Sequence, residues 1–273
     1  MNQIFKYLSI FILVFCMLPI FSVAQNGDPV YVQIDFMNVK PGEGGQYVQV
    51  EQEIWKPIHE ERINRGIISY WGLYGAMYTE PGANYNYITV NVFDDLKKLE
   101  NFYDMNMIDA VHPDVQLQSI MERTNESREL VHSEVWQLID SEFTEDESED
   151  IMYLVVNDFQ VQPGGGGEYL TVEQEFWKPI HEYRIENGMM AGWHLYSLMV
   201  PAGSAVPYNY KTVDFYKSLG DLGQPLTQEI LSSANPELSG TGLEAFFERT
   251  QNARSVYRSV LMERIDYAAT PEN

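Results

Sequence analysis

Two stretches of the chain carry one set of chemically capable side chains. Val50 to Gly66 reads VEQEIWKPIHEERINRG, and Val172 to Gly188 reads VEQEFWKPIHEYRIENG. Each holds a carboxylate, an indole, an imidazole and a guanidinium, and a second indole follows at Trp71 and Trp193. An imidazole at a pocket mouth can serve as general acid or base while a guanidinium holds a substrate carboxylate and the indoles stack on it. His59 and His181 are the candidate acid/base residues. Glu51, Trp55, Arg62 and Trp71 are the candidate binding residues of the first copy, and Glu173, Trp177, Arg184 and Trp193 those of the second. The same residues also suit a polar rim at a helix–sheet seam, with Glu51 paired to Arg62 and His59 capping a buried carbonyl. Of five histidines, only these two match across the copies; His112, His132 and His194 face other residue types.

The elements that position this set repeat as well. Tyr31 to Met77 slides onto Tyr153 to Met199 without a gap, with roughly half of the positions identical. Tyr31 to Val39 has strand composition with Val32, Ile34 and Phe36 on one side, and a Pro-Gly turn follows in both copies. A helix over about Gln46 to Arg65 places Tyr47, Val50, Ile54 and Ile58 on one stripe, with Glu51, Arg62, Trp55 and His59 directly beside it. Gly66 and Gly188 stop the helices at C′. Pro57 and Pro179 lie mid-helix, where a missing N–H and a ring clash predict a kink. Ile67–Tyr78 and Asn84–Phe93 read as a hairpin, Asp94–Tyr103 and Pro113–Val131 as helices, and Ser133–Ile139 as a closing strand. The order is βαββαβ, twice.

Length and composition bound the rest. The 273 residues suffice for two units with their own cores. Met1 to Ala24 reads as a secretory signal peptide, with Lys6 before an apolar run and Ser22-Val23-Ala24 before the cut, so the mature protein is expected in the periplasm or outside the cell. The sole cysteine, Cys16, lies in that segment, so the mature chain has no disulfide and no thiol nucleophile. Seventeen basic against 40 acidic residues give a net charge of −23, which disfavours nucleic acid and anionic membrane surfaces as partners. Ser141 to Asp150, SEFTEDESED, reads as an acidic linker, giving units at 25–140 and 151–273. The glycine-rich turns lack a dinucleotide or P-loop pattern, and His59-Glu60 lacks the second histidine of a zinc helix.

The strand running into Val39-Lys40-Pro41-Gly42 or Val161-Gln162-Pro163-Gly164, the aromatic at Tyr47 or Tyr169, the glycine-ended helix and the strand bearing Trp71 or Trp193 resemble the dimeric α+β barrel proteins. The NIPSNAP, EthD and antibiotic-biosynthesis-monooxygenase-like groups are the ones most similar. The resemblance implies an α+β fold in which two ferredoxin-like βαββαβ repeats form one pseudo-dimeric barrel within a single chain. It also implies a pocket for a small, partly apolar molecule, with acid/base or oxygenase-type chemistry as the associated activity. A non-enzymatic binding or structural module of the envelope is the alternative. No cofactor is expected; haem on a helix histidine is the option that the resemblance adds, against which stands the lack of clustered basic residues for propionates.

Overall fold

A computed structural model describes residues 29–101, 103–144, 150–238 and 240–270. The expected signal peptide and residues 145–149 of the acidic stretch lie outside the described residues. Eight strands form the sheet: β1 (Tyr31–Asn38), β2 (Tyr70–Tyr78), β3 (Tyr87–Phe93) and β4 (Glu129–Phe143) from the first copy, then β5 (Tyr153–Gln160), β6 (Gly192–Val200), β7 (Tyr210–Tyr216) and β8 (Ser255–Ala269) from the second. They close into an antiparallel barrel in the order β1-β3-β2-β8-β5-β7-β6-β4. The first copy's strands therefore stand as β4-β1-β3-β2 and the second's as β8-β5-β7-β6, meeting at the β2–β8 and β4–β6 seams. Closure leaves no strand edge unpaired.

Period two sorts each strand into a lumen face and an outer face. Val32, Ile34 and Phe36 of β1 enter the lumen core with Leu154 and Val156 of β5. Trp71 and Leu73 of β2 turn outward, where helices cover them. In the first copy these helices are α1 (Gly44–Val50), α2 (Lys56–Asn64), α3 (Met105–Val111) and α4 (Leu117–Ser127); in the second they are α5 (Gly166–Val172), α6 (Lys178–Glu186), α7 (Leu219–Leu222), α8 (Gln228–Ala234) and α9 (Thr241–Ala253). Lys56 of α2 reaches Asp266 of β8 at 2.6 Å, and Lys178 of α6 reaches Asp140 of β4 at 2.8 Å. Each long helix is thus tied to the other copy's last strand.

The expected proline kink is instead a π turn. Glu51–Trp55 joins α1 to α2, and Glu173–Trp177 joins α5 to α6. The wider turn puts each proline in the first two positions of the following α segment, where the missing N–H leaves no bond unmade. The carbonyls inside the turn find outside donors: His112 Nε2 contacts the Ile54 carbonyl at 2.9 Å, and Asn235 Nδ2 donates to the Phe176 carbonyl at 3.4 Å. Gly66 and Gly188 end the helices at φ +66°, a conformation open to glycine.

Element boundaries also differ from expectation. Within the expected helix Asp94–Tyr103 the described element is a 3₁₀ helix, Leu96–Asn101, and α3 starts after the Asp104 cap; the helix expected over Pro113–Val131 is α4, which ends at Ser127, with β4 starting at Glu129. The closing strand runs to Phe143, into the expected linker, because β4 must pair with both β1 and β6 to close the barrel. Phe143 packs against the lumen core, an apolar contribution that the surrounding acidic run hides.

Candidate functional site

The helix–sheet seam brings most of the first copy's candidate residues together. Glu51, Trp55, His59, Arg62 and Trp71 are all buried. The His59 ring stacks on Trp71 at 4.8 Å with Trp55 at 6.2 Å, and its Nδ1 lies 2.7 Å from Arg62 Nη1. That nitrogen of Arg62 also donates to Asn91 Oδ1 at 3.0 Å, and the guanidinium sits 4.7 Å over Tyr103. Glu51 stands apart from Arg62. Its partner is Arg128 at the start of β4, at 3.7 Å, so neither the expected Glu51–Arg62 pair nor the His59–carbonyl cap forms.

The second copy repeats the frame with different polar partners. His181 stacks on Trp193 at 5.2 Å, but Arg184 turns to the Tyr216 hydroxyl at 3.4 Å. Glu173 pairs with Arg254 at 2.8 Å, and Trp177 donates to Thr250 as Trp55 does to Thr124. Arg184 and Trp177 are half-buried, whereas Glu173, His181 and Trp193 are buried. Arg128 and Arg254 were absent from the sequence-based set, although they occupy matching positions just after the last helix of each copy.

Burial sets the proton chemistry of this seam. It pulls the His59 imidazole, with Arg62 beside it, well below the usual histidine range, and brings His181 down to about 3. Both rings are neutral at pH 7 and too weak to be efficient bases. Burial instead raises Glu51 and Glu173 to about 7, against the pull of Arg128 and Arg254. The groups poised near neutrality are therefore the two carboxylates. Haem does not fit at these histidines: both rings are buried under helix and sheet, and Arg62 donates to His59 Nδ1, which leaves the proton on Nε2. Neither histidine borders the cavity in the barrel.

That cavity, ≈ 210 Å³, lies in the lumen. Its wall is apolar, with Ile34, Ile88, Val90, Leu154, Val213 and Met262 among its residues. One end is an ion network: Asp158 takes both Lys211 and Arg258, and Arg258 continues to Glu80 at 3.1 Å and to the Tyr208 hydroxyl at 3.1 Å. Tyr208 also donates to Glu134, which accepts from Trp136 Nε1 at 2.9 Å. Burial would raise Glu134, but His132, the Lys211 charge, Tyr208 and Trp136 outweigh it and hold the carboxyl at about 2. The other end carries the Tyr70–Tyr74 hydroxyl pair at 2.6 Å, His194 Nδ1 at 2.7 Å from the Tyr196 hydroxyl, and Arg264 over the Tyr267 ring at 4.3 Å. Tyr70, His194, Arg264 and Phe143 there are half-buried, which makes this end the mouth.

Sequence reasoning missed the ion network, yet a signal was present. Asp158, Lys211 and Arg258 stand where the first copy has Phe36, Ile88 and His132, so two apolar positions and one histidine of the first copy are ionised side chains in the second.

No family model matches the chain, and no curated protein matches it. Among solved structures, an anthrone oxidase-like protein superposes with a TM-score of 0.53 at 11% identity, covering 90% of this chain and 95% of its own. A Lactobacillus acidophilus NCFM protein named after a monooxygenase activity gives 0.52 at 10% identity, covering 89% and 97%. Likeness at such identity concerns the fold alone. The chain shares with these proteins an overall fold, here an α+β fold built on a closed eight-stranded antiparallel barrel.

Proposed function

We propose that this chain is an exported protein that binds a small, largely apolar molecule inside its barrel. It is read as a fused pseudo-dimer, in which two ferredoxin-like units do within one chain what separate subunits do elsewhere. The matching strand orders of residues 31–143 and 153–269, and the reciprocal Lys56–Asp266 and Lys178–Asp140 ties, support that reading. One observation carries the binding proposal: the ≈ 210 Å³ lumen cavity, apolar along its wall and half-exposed at one end. Space of this kind, large enough for several waters but offering them few partners, favours an apolar occupant. Titration of the purified chain with the neutral dye N-phenyl-1-naphthylamine tests it. Saturable one-to-one fluorescence enhancement is expected, lost when Val213→Phe and Val90→Phe fill the lumen. A dye signal indifferent to those substitutions overturns the reading.

A second reading places acid/base or oxygenase-type turnover at the twin seams. Trp71 Nε1, Trp193 Nε1 and His181 Nδ1 are buried there without a hydrogen-bond partner among the described residues, as polar atoms awaiting a ligand would be. Joint replacement of His59 and His181 by alanine is expected to abolish such turnover without unfolding the chain. A fully active double variant removes this reading and leaves the pair as packing.

A further inference from the structure

We infer that the lumen ligand carries a neutral hydrogen-bond acceptor, the carbonyl of a ketone, aldehyde or ester, seated on Lys211 at the closed end, with its apolar body along the wall toward the mouth. The inference rests on the lumen-binding proposal and adds the chemical class. Lys211 is the one lysine among the described residues lining the cavity, and it is 1% exposed. At the matching position the first copy has Ile88, which lies on the same lumen wall. One side of the chamber therefore offers an amine, and that fixes which way round a ligand sits.

The floor formed by Asp158, Lys211 and Arg258 leaves donors open while its charges are matched within the protein. An ammonium has three N–H donors. Among the described residues Lys211 Nζ has one acceptor, Asp158 Oδ1; its other polar-group neighbours are ring faces, with the Trp136 centre at 4.5 Å and the Tyr208 centre at 5.7 Å. A ring face attracts the charge but does not replace an oxygen acceptor. Buried donors without an acceptor cost free energy, and these border an apolar cavity from which a ligand oxygen can reach them. Arg258 differs: Nε donates to Asp158, Nη1 to Glu80 and Nη2 to the Tyr208 hydroxyl, so each of its nitrogens is engaged. The same neighbours decide the charge of the head group. A carboxylate would come in beside Asp158, with Glu134 and Glu80 next to it in the network, and an ammonium would meet Lys211 and Arg258. A carbonyl oxygen accepts and brings neither a charge nor a proton of its own. A hydroxyl accepts too, but its proton then needs a place among carboxylates already engaged.

Two measurements test the inference: displacement of bound N-phenyl-1-naphthylamine, at fixed ionic strength, by acetophenone, its isostere ethylbenzene, benzoate and benzylammonium, and the infrared carbonyl stretch of isotope-labelled acetophenone in the complex. In the parent chain acetophenone is expected to displace the dye at concentrations where benzoate and benzylammonium do not. Its stretch is expected to lie below the position in hexane, because a hydrogen bond from an ammonium weakens the C=O bond. Lys211→Met, which leaves the Asp158–Arg258 pair in place, is expected to weaken acetophenone about tenfold or more and to return its stretch toward the hexane position, while ethylbenzene binds at least as well. A parent-chain stretch at the hexane position, an acetophenone affinity indifferent to Lys211→Met, or benzoate as effective as acetophenone overturns the carbonyl assignment while lumen binding stands. The parent-chain stretch needs no variant, so it decides even where Lys211→Met fails to fold. Absence of lumen-dependent dye binding overturns both.

Discussion

Asp158→Asn is the most informative single change to the barrel's closed end. The Asp158 side chain is fully buried and Lys211 is 1% exposed, and the carboxylate is the acceptor common to Lys211 Nζ and Arg258 Nε. Removing its charge leaves two buried cations with weakened compensation. Breaking a buried pair from one side costs about 3–5 kcal/mol, because the remaining charge cannot return to water. For a chain of this size, that lowers the midpoint of thermal unfolding by about 6–20 °C. Urea unfolding followed by circular dichroism, with the slope checked for constancy, measures the loss. The first copy supplies a control: Asp158→Phe, Lys211→Ile and Arg258→His together install the residues found at Phe36, Ile88 and His132. The three exchanges remove the acid together with the two cations it compensates, so the triple variant is expected to recover more than half of the loss even though Glu134 gives up the Lys211 charge. A loss below about 1 kcal/mol for Asp158→Asn, or a triple variant less stable than the single one, refutes the reasoning.

Three further outcomes follow from other parts of the molecule. Glu173 titrates near 7 when folded and at 4.5 when unfolded, so the folded state holds the extra proton between those values and this group's contribution falls as pH rises through that window. Glu173→Gln is therefore expected to gain on the parent chain from pH 4.5 to 7, by up to about 3 kcal/mol, in urea titrations at pH 5 and 8; a pH-independent difference contradicts the shift. His181, depressed to about 3, works in the opposite sense, its contribution being lost as pH falls below 6.5, which is why the comparison is made against a Glu173 variant and not against pH alone. Pro57→Ala is expected to cost about 0.4–1 kcal/mol through the freer unfolded chain, since the π turn already absorbs the proline; a stabilised variant shows that the proline strains the helix. Gly192→Ala is expected to cost about 1–3 kcal/mol and to weaken dye binding by displacing the Phe143 ring, and unchanged stability and binding show that Phe143 does not shape the mouth.

Much of the architecture was legible because the chain says everything twice. The gapless match around Trp55 and Trp177, the glycines at 66 and 188 and the period-two strands predict the elements, and Tyr70 and Tyr74 do face away from Trp71 and Leu73. The neighbourhood of His59 with Trp55 and Arg62 was legible from helical angles, whereas its stacking on Trp71 depends on how the helix lies over β2. Glu51 was assigned to the wrong arginine, because Arg128 is 77 positions away and only the sheet brings it near. The π turn was hidden because a proline rule describes what an α-helix loses, not what a wider turn with an outside donor such as His112 restores. The lumen floor was harder still. Asp158, Lys211 and Arg258 are single charges on three separate strands, and nothing local to any of them states that the strands adjoin.

The central claim is that the barrel interior, and not the helix–sheet seam, is where this chain holds a small molecule. A crystal structure of the purified chain soaked with 1-decanol tests it most directly. The account predicts density for the alkyl chain between the Ile34, Leu154 and Val213 side chains, with Trp71 and Trp193 still stacked on their histidines. A lumen closed by its own side chains, with the alcohol lodged beside His59 or His181, would contradict it.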